Sequence, residues 1–130
     1  MIERHWNAEL LAYIFGFIFI AVGIAGFFPN PIVWSTGVFY VNEAHNLIHI
    51  VTGLLFLAGA YFGASVWTIR AIAVLYTIVA IAGFAIPDNP QFGVVAMNMA
   101  DHWLHAAFAA VLLLVGFVTP AHEPMRQAHQ

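Results

Sequence analysis

The chain has 130 residues, 63% hydrophobic and 7% charged, with a formal net charge of −3 and a mean hydropathy of +0.91. Three basic and six acidic side chains cannot cover a water-soluble globule, roughly a quarter of whose residues are charged; the same counts exclude a disordered chain, a coiled coil and a basic nucleic-acid binder. The absence of Cys removes disulfides, thiolate zinc sites, iron–sulfur clusters and covalently attached haem, so any chemistry falls to His, Asp, Glu, Asn and Met.

Apolar stretches Leu10–Phe28, Ala44–Phe62, Val66–Ile86 and Met97–Val118 each approach the roughly 20 residues a helix needs to cross a hydrocarbon core. Backbone groups in lipid must be satisfied internally, and none of the four shows the polar alternation of a barrel strand. The predicted fold class is therefore all-α, an integral membrane four-helix bundle in one domain covering residues 1–130. The first stretch is longer than a signal-peptide core, only Arg4 precedes it, and no small-residue cleavage site follows Phe27-Phe28; it is read as a retained span. Its Gly16, Gly23 and Gly26 suit close helix contact.

The connection Pro29–Asn42 carries Trp34, Phe39 and Tyr40, amphipathic aromatics suited to a headgroup layer. The second helix opens on a polar pattern and closes near Gly59 and Gly63, and Arg70 follows the next turn as an interface anchor. Asp88 and Asn89 between prolines read as a turn before the fourth helix, where Ala106, Ala107, Ala109 and Ala110 offer further close contact. Arg4, Arg70 and Arg126 all fall on one side of this four-pass arrangement. The positive-inside rule then predicts cytoplasmic termini, in a bacterial inner membrane, with Pro29–Asn42 and Pro87–Ala96 outside. Glu3, His5 and Glu9 at one end, and His122, Glu123 and His129 at the other, read as solvated terminal groups.

The two halves of the chain, about 10–63 and 66–118, resemble each other. Gly26-Phe27-Phe28-Pro29-Asn30-Pro31 closes the first helix, and Gly83-Phe84-Ala85-Ile86-Pro87-Asp88-Asn89-Pro90 closes the third. Aligning the helices that follow pairs Asn42 with Asn98, His45 with Asp101, Asn46 with His102 and His49 with His105. Two helices separate the copies, so they run in the same direction, and a pseudo-twofold along the membrane normal would bring the opening turns of helices two and four together.

At roughly 100° per residue, Asn42, His45 and His49 share one face of helix two, and Asn98, Asp101 and His105 one face of helix four. Such facing stripes present His45, His49, Asp101 and His105 as ligands for zinc, iron or copper, with Asn42, Asn46, Asn98 and His102 around them. Glu43 and the Met97/Met99 pair lie nearby in sequence. A structural explanation competes. Asn42 and Asn98 are good N-caps, Asp101 completes a capping box, and the remaining polar groups would hydrogen-bond across the bundle. Against it stands the cost of ionisable groups inside membrane spans. A tetrapyrrole is the rival cofactor: His49 and His105 as axial ligands of a haem, or each on a chlorin magnesium, with Gly53 and Ala109 leaving room for the ring. A quinone or carotenoid would fit the aromatic, Gly-rich helices, but nothing marks one specifically.

The paired motifs His45-Asn46-x-x-His49-x-x-x-Gly53 and Asn98-x-x-Asp101-His102-x-x-His105 resemble those of a bacterial family of domains of unknown function, small four-pass membrane proteins. In that family helix two carries His-Asn-x-x-His-x-x-x-Gly and helix four Asn-x-x-Asp-Asn-x-x-His. The likeness spans nearly the whole chain, and His102 departs from it by standing where the family has Asn. The resemblance implies the fold and the site residues, and it implies no activity. Catalysis would need an open metal position. Expected partners are the lipid bilayer and either further copies of the chain or a larger membrane complex. No continuous polar stripe runs the length of a helix as a channel would require.

Overall fold

Apolar length decides where the helices run, and asparagine caps set the starts of the second and fourth. The computed structural model describes residues 2–86 and 89–120, with side chains described from Ala8 onward. It contains α1 (Ile2–Ala25), α2 (Glu43–Tyr61), α3 (Ser65–Ala85) and α4 (Met99–Val118), each with a stretch long and apolar enough to cross a membrane. Helix α4 starts at Met99 rather than at the predicted Met97, because Asn98 is its N-cap and leaves Met97 in the preceding loop. Helix α2 starts one residue earlier than predicted, directly after its own cap, Asn42. The Arg126, His122, Glu123, His129 and Asp88 expectations lie outside the described residues, as do the side chains of Glu3, Arg4 and His5.

Helix α1 packs mainly on α2 and α3 mainly on α4, while smaller α2–α3 and α1–α3 contacts join the two pairs. The α1–α2 seam is close because glycines line it. A Cβ on Gly53 would stand 2.6 Å from the Gly16 carbonyl oxygen, and one on Gly16 would stand 3.0 Å from the Gly53 carbonyl oxygen. Without a water-driven term between lipid and helix, this backbone approach is how such helices gain packing energy. On α4 the expectation of four interfacial alanines is corrected. Ala109 is buried and Ala106 half-buried, whereas Ala107 and Ala110 are exposed.

The bundle's interior is Phe56, Val66, Ile69, Ile72, Tyr76 and Leu112, with Ala8 and Ala12 of α1 against them. Its outward face is also apolar: Phe17, Leu54, Ile78, Ile81 and Leu114 are all more than half exposed. His45, Asn46, His49, Asp101, His102 and His105, by contrast, are buried. Apolar outside and polar within is the distribution expected when lipid is the solvent.

At the end where α2 turns into α3, Gly63 adopts φ 74°, the left-handed conformation that closes a helix cheaply only with glycine. Arg70 sits at this end, but its role is more specific than an interface anchor. Its Nε donates to the Gly116 carbonyl at 2.7 Å and its Nη2 to the Thr119 carbonyl at 3.0 Å. A cation on the last carbonyls of α4 satisfies groups that have no helical partner and complements the helix dipole. The guanidinium also lies 5.2 Å from the ring centroids of Trp67 and Phe117.

Candidate metal centre

At the opposite end, each helix start is capped by an Asn whose two side-chain atoms do different work. Asn42 Oδ1 accepts from the His45 amide at 3.0 Å, while its Nδ2 crosses to donate to the Val94 carbonyl at 2.8 Å. Asn98 Oδ1 accepts from the Asp101 amide at 3.1 Å, while its Nδ2 crosses to donate to the Val38 carbonyl at 2.8 Å. The oxygen caps its own helix, that of Asn98 also accepting from the Tyr40 amide at 3.4 Å, and the nitrogen holds the loop before the other one. The loops thus latch each other reciprocally, and the first turns of α2 and α4 are brought together although their backbones stay farther apart than within either helix pair.

Into that junction project His45 and His49 from α2 and His105 from α4. One ring nitrogen of each lies within 4.8 Å of the others. The ring centroids are 4.4 Å apart for His45–His49, 5.8 Å for His45–His105 and 6.4 Å for His49–His105. All three side chains are buried, at 2%, 9% and 6% exposure.

The hydrogen-bond inventory of these rings is uneven. His45 Nδ1 meets the Ala96 carbonyl at 2.7 Å. A carbonyl only accepts, so the proton sits on Nδ1 and the lone pair of the neutral ring is on Nε2. That Nε2 is buried with no hydrogen-bond partner, as are His49 Nδ1 and His105 Nδ1. Buried ring nitrogens without partners are costly and rare. Each of the three rings thus carries a buried nitrogen without a partner, and one nitrogen of each ring lies at the convergence.

Aromatic rings floor the cluster on the side toward the bundle centre. Phe19 of α1 lies edge-on to His49 at 5.5 Å, and Tyr76 of α3 lies edge-on to His105 at 5.7 Å. Phe108 packs against both, at 4.9 Å from Phe19 and 5.8 Å from Tyr76. The Tyr76 hydroxyl is hydrogen-bonded to Thr52 Oγ1 at 3.0 Å, which ties α3 to α2 below the cluster.

A family model covers residues 9–118 of this chain, from α1 through the end of α4. The chain belongs to DUF4383, a family of domains of unknown function. No curated protein and no solved structure matches it significantly.

In this DUF4383 chain the site residues expected from sequence divide into groups. His45, His49 and His105 converge. Asp101 does not join them: its Oδ2 accepts from the Asn98 amide at 2.9 Å, closing a capping box at the start of α4. Asn42 and Asn98 are caps, as expected, and latches as well. His102 turns to α3, where its Nδ1 occupies the space a Cβ on Gly83 would need and its ring lies 5.8 Å from Phe84. Asn46 does the same at Gly26 of α1. These matched positions fill glycine notches inside each helix pair and stand apart from the converging group. Of the other neighbours, Glu43 and Met99 are exposed and Met97 is buried.

The room that a tetrapyrrole would need at Gly53 is filled by α1, whereas Ala109, though buried, lines an open groove between α3 and α4 with Thr77 and Ala80. Sequence reading missed Phe19, Tyr76 and Phe108. Tyr76 did leave a signal, a hydroxyl in mid-span that needs a polar partner. The two phenylalanines left none among twelve of their kind.

The latch makes a prediction. Asn98→Ala removes a cap, worth about 1 kcal/mol, and deprives the Val38 carbonyl of its donor at a further cost of roughly 1 kcal/mol. Asn98→Ser retains a capping oxygen and loses the crossing Nδ2 bond, so it falls between Asn98→Ala and the parent in detergent unfolding. Equal stability of all three proteins would refute the reciprocal latch.

Proposed function

We propose that this DUF4383 protein is a small integral membrane protein that binds one metal ion, zinc, iron or copper, through His45, His49 and His105. The observation that carries this reading is the convergence of three buried imidazoles, one nitrogen from each within 4.8 Å of the others, and a buried ring nitrogen without a hydrogen-bond partner on each of them. Imidazole nitrogens sit roughly 2.0–2.1 Å from a bound zinc, so small rotations of the three rings bring them onto one ion. The Ala96 carbonyl on His45 Nδ1 is the kind of outer partner that fixes a ligand's tautomer.

Two observations favour a metal over the alternatives first open to the sequence. The bonds that clasp the helix starts are made by Asn42, Asn98 and His45, so a purely structural account leaves His49 and His105 without a task. A haem or chlorin between His49 and His105 would have to displace His45, which lies 4.4 Å and 5.8 Å from them ring to ring, and would find Gly53 already packed on α1.

Arg70 and the α2–α3 turn lie at the end opposite the imidazoles. Under the positive-inside rule that end is cytoplasmic and the metal lies beneath the outer leaflet of a bacterial inner membrane. The apolar outer surface suits lipid, further copies of the chain or a larger complex.

Elemental analysis of the purified chain tests the reading. One ion per chain is expected in the parent, and close to none in a His49→Ala/His105→Ala variant that still unfolds cooperatively. Equal metal content in the two proteins would overturn it. Copurification with a stable partner and without metal would favour the other reading, a small accessory subunit of a larger membrane complex whose polar groups only clasp the bundle.

A further inference from the structure

Resting on the metal reading of the triad, we infer that the site selects a monovalent soft cation, copper(I), over divalent zinc or iron. The first ground is the donor set. The group that converges holds three neutral imidazoles and no carboxylate, so the ligands themselves offer no negative charge to a cation taken out of water. Imidazole serves copper, zinc and iron alike, which leaves charge and coordination number to decide.

The second ground is burial. The three side chains are at most 9% exposed, and Phe19, Tyr76 and Phe108 close the inner side. The cost of desolvating an ion grows with the square of its charge, so a dication pays about four times what a monocation pays in the same surroundings. Asp101 is the one acidic side chain buried among the described residues. Lying one helical turn before His105, its carboxylate balances a single positive charge and leaves a dication half uncompensated.

The third ground is the helix dipole. His45 is in the first turn of α2 and Asp101 in the first turn of α4, and each helix start carries a partial positive charge. Two such ends latched together repel any cation, and repel a dication twice as strongly. A closed set of three nitrogens also suits copper(I), a filled-shell ion content with three ligands. Zinc with three protein ligands instead takes water at a fourth, open position.

The test titrates the full chain in detergent with copper(I) under anaerobic reducing conditions against a chromophoric copper(I) chelator, and separately with zinc(II) against a zinc chelator. Silver(I) serves as a redox-inert monovalent competitor. Copper(I) is expected to bind at one equivalent and roughly 100-fold or more tighter than zinc(II). Silver(I) should displace it, His49→Ala should abolish binding, and X-ray absorption should show three nitrogen neighbours. Zinc(II) binding as tightly as copper(I), or a four-coordinate copper with a water ligand, would overturn the monovalent preference and leave the metal site standing. Retention of neither metal would overturn both.

Discussion

On the proposed metal reading, adding the metal is expected to raise the unfolding free energy of the metal-free protein by about 4 kcal/mol when free metal stands roughly 1,000-fold above the dissociation constant, and His49→Ala/His105→Ala is expected to erase that gain. The increment follows from linkage alone. The triad joins residues 45 and 49 of α2 to residue 105 of α4, and unfolding separates them, so the unfolded chain offers no comparable site. Asp101→Asn is the informative companion. The Asp101 carboxylate accepts the Asn98 amide at 2.9 Å and lies outside the converging group. Asp101→Asn should therefore lower stability by about 1 kcal/mol or less, the scale of a cap interaction, and keep the greater part of the metal-dependent increment. Thermal or denaturant unfolding in micelles, with and without metal, reads all three proteins. Complete loss of the increment in Asp101→Asn would make Asp101 a ligand, as the sequence alone had suggested.

Gly53→Val is expected to destabilise the bundle by about 3 kcal/mol or more, the upper range for overpacking a tight interface. A Cβ at this position meets the Gly16 carbonyl oxygen at 2.6 Å, the Ile20 Cγ1 at 2.6 Å and the Ile20 backbone nitrogen at 2.9 Å. Two of those atoms are backbone and cannot rotate aside, so α1 must move away from α2. The effect reaches the site, because Phe19 on α1 is the ring that lies against His49. Leu54→Ala is the control. It follows directly in sequence, but its side chain is 54% exposed on the outer face, and a change there falls near 0.5 kcal/mol. Unfolding in mixed micelles, followed by tryptophan fluorescence, separates the two. Equal stability of Gly53→Val and Leu54→Ala would show that the α1–α2 approach is not tight.

Composition, span length and cap chemistry were legible residue by residue. Charge scarcity and four apolar runs determine an all-helical membrane chain, because lipid leaves the backbone no partner but itself. Asn42 and Asn98 announce the starts of α2 and α4, since a cap is a bond between residues three apart. Helical periodicity likewise places His45 with His49, and Asp101 with His105, on single faces. What sequence left open was which of two jobs each polar group performs. Asp101 was eligible as ligand and as cap, and the bond its Oδ2 accepts from the Asn98 amide shows it acting as a cap. Gly53 was eligible as room for a ring and as a notch for a helix, and Gly16 fills the notch. The crossing bonds of Asn42 and Asn98, the Ala96 carbonyl that sets the tautomer of His45, and the aromatic floor from α1, α3 and α4 came only with the tertiary structure. These partners lie some fifty residues away or on other helices, and the 3.6-residue repeat of a helix carries no record of what faces it.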